Sequence, residues 1–175
     1  GNPKKPQDNK LYEMAVKTWG EGWYDNLKGG GNVWEAMTYD EKLGLLYIGV
    51  GGSAIDPRTR GKNIGDELFT TSIVALDAKT GEYVWHFKMN PKDGWNYEPS
   101  IGIMISELPL GSNGENKRVV ISVPKNGFVF VIDARTGKYI SSNNYVDVNW
   151  TTGHDENGRP IYTEQAQWWK QSPGT

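Results

Sequence analysis

Two turn segments of the chain are near copies of each other, and this repeat restricts the fold more than any other feature. Residues 75–83 read ALDAKTGEY, and residues 131–139 read VIDARTGKY. In each copy an apolar run ends in an aspartate that can cap a turn, and Thr-Gly supplies a hydroxyl and a residue that accepts positive φ. Residues 39–44, YDEKLG, form a weaker third copy. The pattern predicts recurring hairpins, unless two unrelated hairpins share the same turn chemistry.

Short segments rich in β-branched and aromatic residues flank these turns. They predict strands at residues 44–50, 71–77, 83–88, 118–123 and 127–133. The 22 glycines, 8 tryptophans and 9 tyrosines favour an all-β protein with many tight turns. Units of several strands that recur every 40 to 55 residues or so are typical of β-propeller blades. A chain of 175 residues holds only about three such blades. We therefore expect the rest of a longer propeller, or a second chain, to complete the ring.

Charge and hydropathy exclude two classes of partner. The formal net charge is −2 and the charges are scattered, so no basic stripe is present that would bind nucleic acid. No run approaches the roughly 18 apolar residues that a membrane span requires. Cysteine is absent from the sequence, which leaves the cellular compartment open.

The sequence resembles the pyrroloquinoline quinone (PQQ) dependent alcohol and methanol dehydrogenases over residues 17–161. The resemblance is carried by GGGNVW at 29–34, LYIGVG at 46–51, SIVALD at 72–77, WHF at 85–87, PKNGF at 124–128 and VNWTTG at 148–153. These enzymes are eight-bladed propellers of tryptophan-docking repeats, so the resemblance implies a middle section of about three blades. On this basis residues 1–28 are a connecting segment or partial blade, 29–150 form propeller blades, and 151–175 are a loop and tail leading to a further blade.

The resemblance also implies how the blades pack. Residues of the Trp85 type lie between neighbouring blades, and residues of the Ala75 and Gly81 types make room for them. A buried indole suits this position because it covers a large area and its N–H can find a backbone acceptor. The second copy has Ser141 where the tryptophan would fall, so we expect that junction to be sealed differently.

Two residues match the family's cofactor positions. Trp34 corresponds to the floor on which the quinone ring stacks, and Lys125 to the cation that binds the quinone oxygens. An ammonium suits that role because the oxygens gain charge on reduction. The alternatives are ordinary ones: Trp34 as a core residue, and Lys125 as a solvated turn lysine.

Three further positions bear on metal binding and catalysis. Gly52 stands where the family has an asparagine that ligates calcium, and glycine has no side chain to offer. Asn96, in PKDGWNYE at 91–98, stands where the family has the aspartate that accepts the substrate's proton, which an amide cannot do. Glu98 matches an extra carboxylate of the lanthanide-dependent members. It is also a candidate base, or a solvated loop residue.

Two functions follow from the resemblance. The first is a section of a periplasmic alcohol dehydrogenase that uses PQQ with a calcium or lanthanide ion and passes electrons to a cytochrome c. The second is a catalytically degenerate propeller that serves as a scaffold or binding protein, which Gly52 and Asn96 favour. The sequence leaves open whether the tail around Trp168 and Trp169 docks on a blade or on a partner.

Overall fold

The protein is described by a computed structural model that covers residues 10–27, 30–53, 60, 64–99 and 101–170. Two short helices come first, α1 (Lys10–Val16) and α2 (Trp23–Leu27). Ten strands follow, and two 3₁₀ turns, Glu164–Ala166 and Trp168–Lys170, end the described chain. The strands are β1 (Met37–Asp40), β2 (Leu45–Val50), β3 (Ser72–Asp77), β4 (Tyr83–Lys88), β5 (Ile103–Pro109), β6 (Asn116–Ser122), β7 (Phe128–Asp133), β8 (Tyr139–Asn144), β9 (Thr151–His154) and β10 (Pro160–Tyr162).

The strands form two four-stranded antiparallel meanders and one hairpin. The first sheet has the order β1-β2-β3-β4 and the second the order β5-β6-β7-β8, while β9 pairs with β10. Four-stranded antiparallel sheets in sequence are propeller blades, so the predicted partial propeller is confirmed. The five predicted strands correspond to β2, β3, β4, β6 and β7. Among the described residues, no helix is long and apolar enough to cross a membrane.

The repeated turns have the chemistry that the sequence predicted. Oδ1 of each aspartate accepts backbone N–H bonds from the residues two and three positions later, at 2.9 and 2.8 Å for Asp77 and at 3.0 and 2.9 Å for Asp133. Gly81 and Gly137 have φ angles of 75° and 72°. Asp40 caps the third copy in the same way, at 3.0 and 3.2 Å. The three turns are therefore one motif repeated.

Trp85 joins the first blade to the second. Its indole N–H donates to the Ala134 carbonyl at 3.2 Å, and a Cβ placed on Gly137 would lie 2.6 Å from the ring. The glycine that makes room for Trp85 is thus Gly137, the counterpart of Gly81 in the next turn. A Cβ on Gly81 itself would meet nothing within 4 Å in the described part of the chain. Trp85 therefore docks between the blades as expected, and the glycine that makes room for it comes from the second blade.

The next junction is sealed without a tryptophan, as Ser141 had suggested. Tyr139 and Phe87 stack with ring centroids 6.1 Å apart, and both rings pack on Gly158 in the β9–β10 turn. A Cβ on Gly158 would lie 2.5 Å from Tyr139 and 2.8 Å from Phe87. Ser141 pairs with Val131 inside the second blade. Tyr139, two residues before Ser141, therefore seals this junction together with Phe87 of the first blade.

Candidate functional site

The connection between β4 and β5 contains the motif PKDGWNYE, and Asp93 determines its shape. Asp93 is buried, and its two carboxylate oxygens accept the backbone N–H groups of Trp95 and Tyr97, each at 3.0 Å. These bonds fold the loop into a tight turn in which Asn96 has a φ of 64°. Asparagine tolerates this left-handed conformation better than most residues. The turn aims the Asn96 side chain at Glu98.

Asn96, Glu98 and Lys125 form a hydrogen-bonded triad. Glu98 is only 1% exposed, and the Lys125 ammonium lies 2.9 Å from its Oε1. The amide of Asn96 satisfies both neighbours when its nitrogen faces Glu98, at 2.8 Å from Oε2 and 3.2 Å from Oε1. Its oxygen then accepts from Lys125 at 2.9 Å. A buried carboxylate is stabilised by such charged and neutral donors.

Gly52 faces this triad from the end of β2. A Cβ at Gly52 would lie 3.5 Å from Asp93 Oδ2, 3.6 Å from the Asn96 amide and 3.7 Å from Glu98 Oε2. These are ordinary van der Waals distances, so a side chain at this position would point directly at the polar cluster. With glycine there, no side chain from position 52 contacts Glu98 Oε2.

Trp34 is placed beside the same cluster through Gly51. The segment before Trp34 pairs with the end of β2. The Gly51 N–H donates to the Asn32 carbonyl at 2.8 Å, and the Gly31 N–H donates to the Gly52 carbonyl at 3.0 Å. The indole of Trp34 lies over Gly51, where a Cβ would come within 2.3 Å of the ring. The side chain is 53% exposed, so a broad aromatic face remains free. The structure therefore brings all five sequence-predicted site residues to one place.

Sequence reasoning missed the buried charges that support the loop. Arg60 donates to the Asp93 carbonyl at 2.5 Å and pairs with Glu67 at 2.8 Å. Lys88 is buried nearby and donates to the Thr71 hydroxyl at 2.7 Å. Burial lowers the pKa of Lys88 to about 7 and raises the pKa of Glu67. Arginine, lysine and glutamate side chains are usually exposed, and nothing in the local sequence marks these three as buried.

The C-terminal tail docks on the site loop, which settles the question that the sequence left open. Trp168 donates its indole N–H to the Lys92 carbonyl at 2.9 Å, and the Lys92 ammonium lies 5.0 Å from the centre of the Trp169 ring. The Tyr162 hydroxyl donates to the Pro91 carbonyl. The tail therefore holds the start of the loop whose end carries Asn96.

The two histidines make structural contacts. His154 is packed against Phe128 and Phe130 and its Nδ1 lies 2.9 Å from the Ser142 hydroxyl. Burial lowers the pKa of His154 to about 4, so the ring is neutral. His86 contacts Tyr83 at 2.7 Å. Neither histidine is bonded to the triad.

Comparison with known proteins identifies the family. Residues 6–160 match the PQQ family model described as "Glucose/ethanol/alcohol dehydrogenase, beta-propeller domain". This match covers most of the chain, and the chain therefore belongs to this family.

The similar proteins are quinoprotein dehydrogenases. Lupanine 17-hydroxylase (cytochrome c) of a Pseudomonas species is 47% identical over 99% of this chain and 25% of its own length. Quinohemoprotein alcohol dehydrogenase ADH-IIG of Pseudomonas putida is 46% identical over 97% of this chain and 24% of its own length. The chain thus spans about a quarter of the length of these relatives.

Solved structures give the same result for the fold. The quinohemoprotein alcohol dehydrogenase of Comamonas testosteroni superimposes with a TM-score of 0.87 at 38% identity, over 95% of this chain and 25% of that one. A europium-containing methanol dehydrogenase superimposes with a TM-score of 0.73 at 30% identity, over 85% of this chain and 25% of that one. The family resemblance inferred from the sequence motifs is confirmed.

Proposed function

We propose that this chain is the part of a PQQ-dependent alcohol dehydrogenase that seats the quinone and carries the reacting groups. The observation that carries the proposal is the convergence of Trp34 and Lys125 on the Asn96 and Glu98 cluster across Gly51 and Gly52. Family membership supports it, because the relatives are named as quinoprotein alcohol dehydrogenases.

The residues present fit a planar quinone. Trp34 offers an exposed indole face, and the glycine beneath it lets the backbone lie directly against the ring. A flat aromatic surface of this kind stacks well on another π system. Lys125 is 41% exposed, so its ammonium remains accessible to a ligand while it pairs with Glu98. PQQ, when bound, would accept the hydride, and with it both electrons, that an alcohol gives up.

The same residues do not by themselves fit a metal ion. Calcium and lanthanide ions need six or more oxygen ligands. Gly52 supplies none, both Asp93 oxygens accept backbone N–H groups, and Glu98 is paired with Lys125. Among the described residues, no three His, Cys, Asp or Glu side chains are grouped so that they could hold a metal. A calcium or lanthanide ion would therefore depend on ligands from elsewhere in the protein.

Lys125 has a defined electrostatic task in this proposal. Its ammonium lies in a partly buried site where a fixed positive charge stabilises negative charge that develops on quinone oxygens. The Glu98 carboxylate and the Asn96 amide oxygen hold the ammonium in position. Lys125 therefore acts as a preorganised cation, and the pocket does not have to rearrange during the reaction.

Location and electron transfer follow the relatives in this proposal. Two of them, lupanine 17-hydroxylase and 1-butanol dehydrogenase, are named as cytochrome c enzymes. We propose a cytochrome c as the electron acceptor and the periplasm as the compartment. The remainder of the propeller, within the same protein or in a completing chain, would supply the other blades.

The proposal is tested on the intact protein by titration with PQQ, followed by absorbance and by quenching of tryptophan fluorescence. We expect stoichiometric binding and dye-linked oxidation of a primary alcohol. Trp34→Ala should weaken PQQ binding about 5- to 150-fold, because a stacked aromatic contact is worth about 1–3 kcal/mol. Tyr39→Ala, an exposed aromatic on β1, is the control and should bind normally. A protein that binds no quinone and oxidises no alcohol would instead support the scaffold function.

A further inference from the structure

Oxidation of an alcohol to a carbonyl compound removes two hydrogens, and they leave differently. The C–H hydrogen leaves with its electron pair as a hydride, and the O–H hydrogen leaves as a proton. A positioned group that accepts that proton accelerates such a step by about 10² to 10⁴. The site must therefore contain a proton acceptor that reaches the substrate hydroxyl.

Most of the polar groups in the cluster cannot take this role. The Asn96 amide is not basic, and the Lys125 ammonium has only protons to give. Both oxygens of Asp93 are bonded to backbone N–H groups that keep the loop folded. Protonation of Asp93 would weaken the bonds that shape the site.

We infer that Glu98 is the proton acceptor of this site, and that Asn96 positions it. This inference rests on the proposed function. Glu98 Oε2 faces Gly52, 3.7 Å from where a Cβ would be. Because glycine has no side chain, position 52 places no group between Oε2 and an approaching hydroxyl. The O–H bond would break with its proton passing to the Glu98 carboxylate, and the C=O bond would form as the C–H hydrogen leaves as a hydride, for which a bound quinone would supply the acceptor.

The neighbours of Glu98 suit this role. Lys125 binds Oε1 and so orients the carboxylate. Oε2 accepts one N–H from Asn96, which leaves it a second lone pair for a proton. The amide nitrogen of Asn96 donates across both oxygens and fixes the plane of the carboxylate. Glu98 is 1% exposed, which keeps bulk water from competing with the substrate hydroxyl. The motif thus combines an orienting amide with a base two residues later.

The test uses the intact protein loaded with PQQ and compares three variants. Glu98→Gln keeps the shape and removes the basicity, and we expect kcat to fall about 10² to 10⁴ fold with PQQ affinity changed less than threefold. The kinetic isotope effect with an α-deuterated alcohol should stay or rise, because hydride transfer becomes rate-limiting. Glu156→Gln, the same change at an exposed residue of the β9–β10 turn, should keep full activity.

The double variant Asn96→Asp with Glu98→Gln makes the test independent of folding defects. It restores a carboxylate next to Lys125, and we expect its kcat to be at least tenfold higher than that of Glu98→Gln alone. Activity of Glu98→Gln within threefold of wild type would overturn the inference. A parallel loss of terbium or calcium binding and activity would also overturn it, since Glu98 would then be a metal ligand. Wild-type protein that binds PQQ but oxidises no alcohol would instead refute the proposed function.

Discussion

Gly137→Ala should destabilise the protein through the junction between the first two blades. The residue has a φ of 72°, and alanine in this left-handed region costs about 1–2 kcal/mol. The added Cβ would lie 2.6 Å from Trp85 Cε3 and 2.7 Å from Cδ2. The indole cannot move away easily, because it donates to Ala134 and packs 5.5 Å from the Tyr47 ring. Overpacking of a core costs about 1–3 kcal/mol, so we expect a total loss of about 2–5 kcal/mol.

The measurement is urea unfolding of the intact protein, followed by tryptophan fluorescence, with Gly114→Ala as the matched control. Gly114 has a φ of 78°, and a Cβ there would meet nothing within 4 Å in the described structure. The free energy of unfolding of the control should therefore fall only by the backbone contribution, about 1–2 kcal/mol. Equal losses for the two variants would refute the idea that Gly137 is small because Trp85 docks on it.

Three other predictions concern the site and the blade contacts. Gly52→Asn should raise calcium affinity about tenfold by calorimetric titration, because its side chain fits and adds an oxygen ligand; unchanged affinity would contradict the geometry. Burial opposes ionisation of Asp40, but hydrogen bonds from Arg118 and the backbone hold its pKa below the ordinary value. That stability is present above about pH 4 and is lost as pH falls through the lowered pKa, so Arg118→Met should shift acid unfolding, followed by circular dichroism, to higher pH. Trp168→Ala should weaken PQQ binding severalfold, because the Lys92 carbonyl loses its donor; unaltered binding would mean that the tail does not position the loop.

The fold was predictable where local sequence and tertiary structure agree. The capping aspartates and the turn glycines act within a few residues, so the repeats at Asp77 and Asp133 identified the blades. Strands β5 and β8 were missed because they read IMISELP and YISSNN and contain many partly exposed residues. Their place is determined by pairing with β6 and β7. Such pairing is a long-range property that a single segment does not reveal.

The site was predictable only as a set of matched positions. Trp34, Gly52, Asn96, Glu98 and Lys125 come from four separate stretches of sequence, and only the resemblance placed them together. The contacts among them could not be predicted, because they depend on side chains meeting across blades. The docking of the tail could not be predicted either, because the sequence does not show which carbonyl accepts a hydrogen bond from an indole N–H.

The amide at position 96, where the resemblance leads us to expect an aspartate, is best understood together with Gly52 and Glu98. An aspartate at position 96 would place its charge 2.9 Å from Lys125 and beside the buried Glu98, so two carboxylates would compete for one ammonium. Like charges at such distance disfavour double ionisation. An amide removes the repulsion and supplies a donor to Glu98. Glycine at 52 then places no side chain against Glu98 Oε2. The three residues are therefore consistent with a single carboxylate at position 98, which Lys125 and Asn96 hold in place.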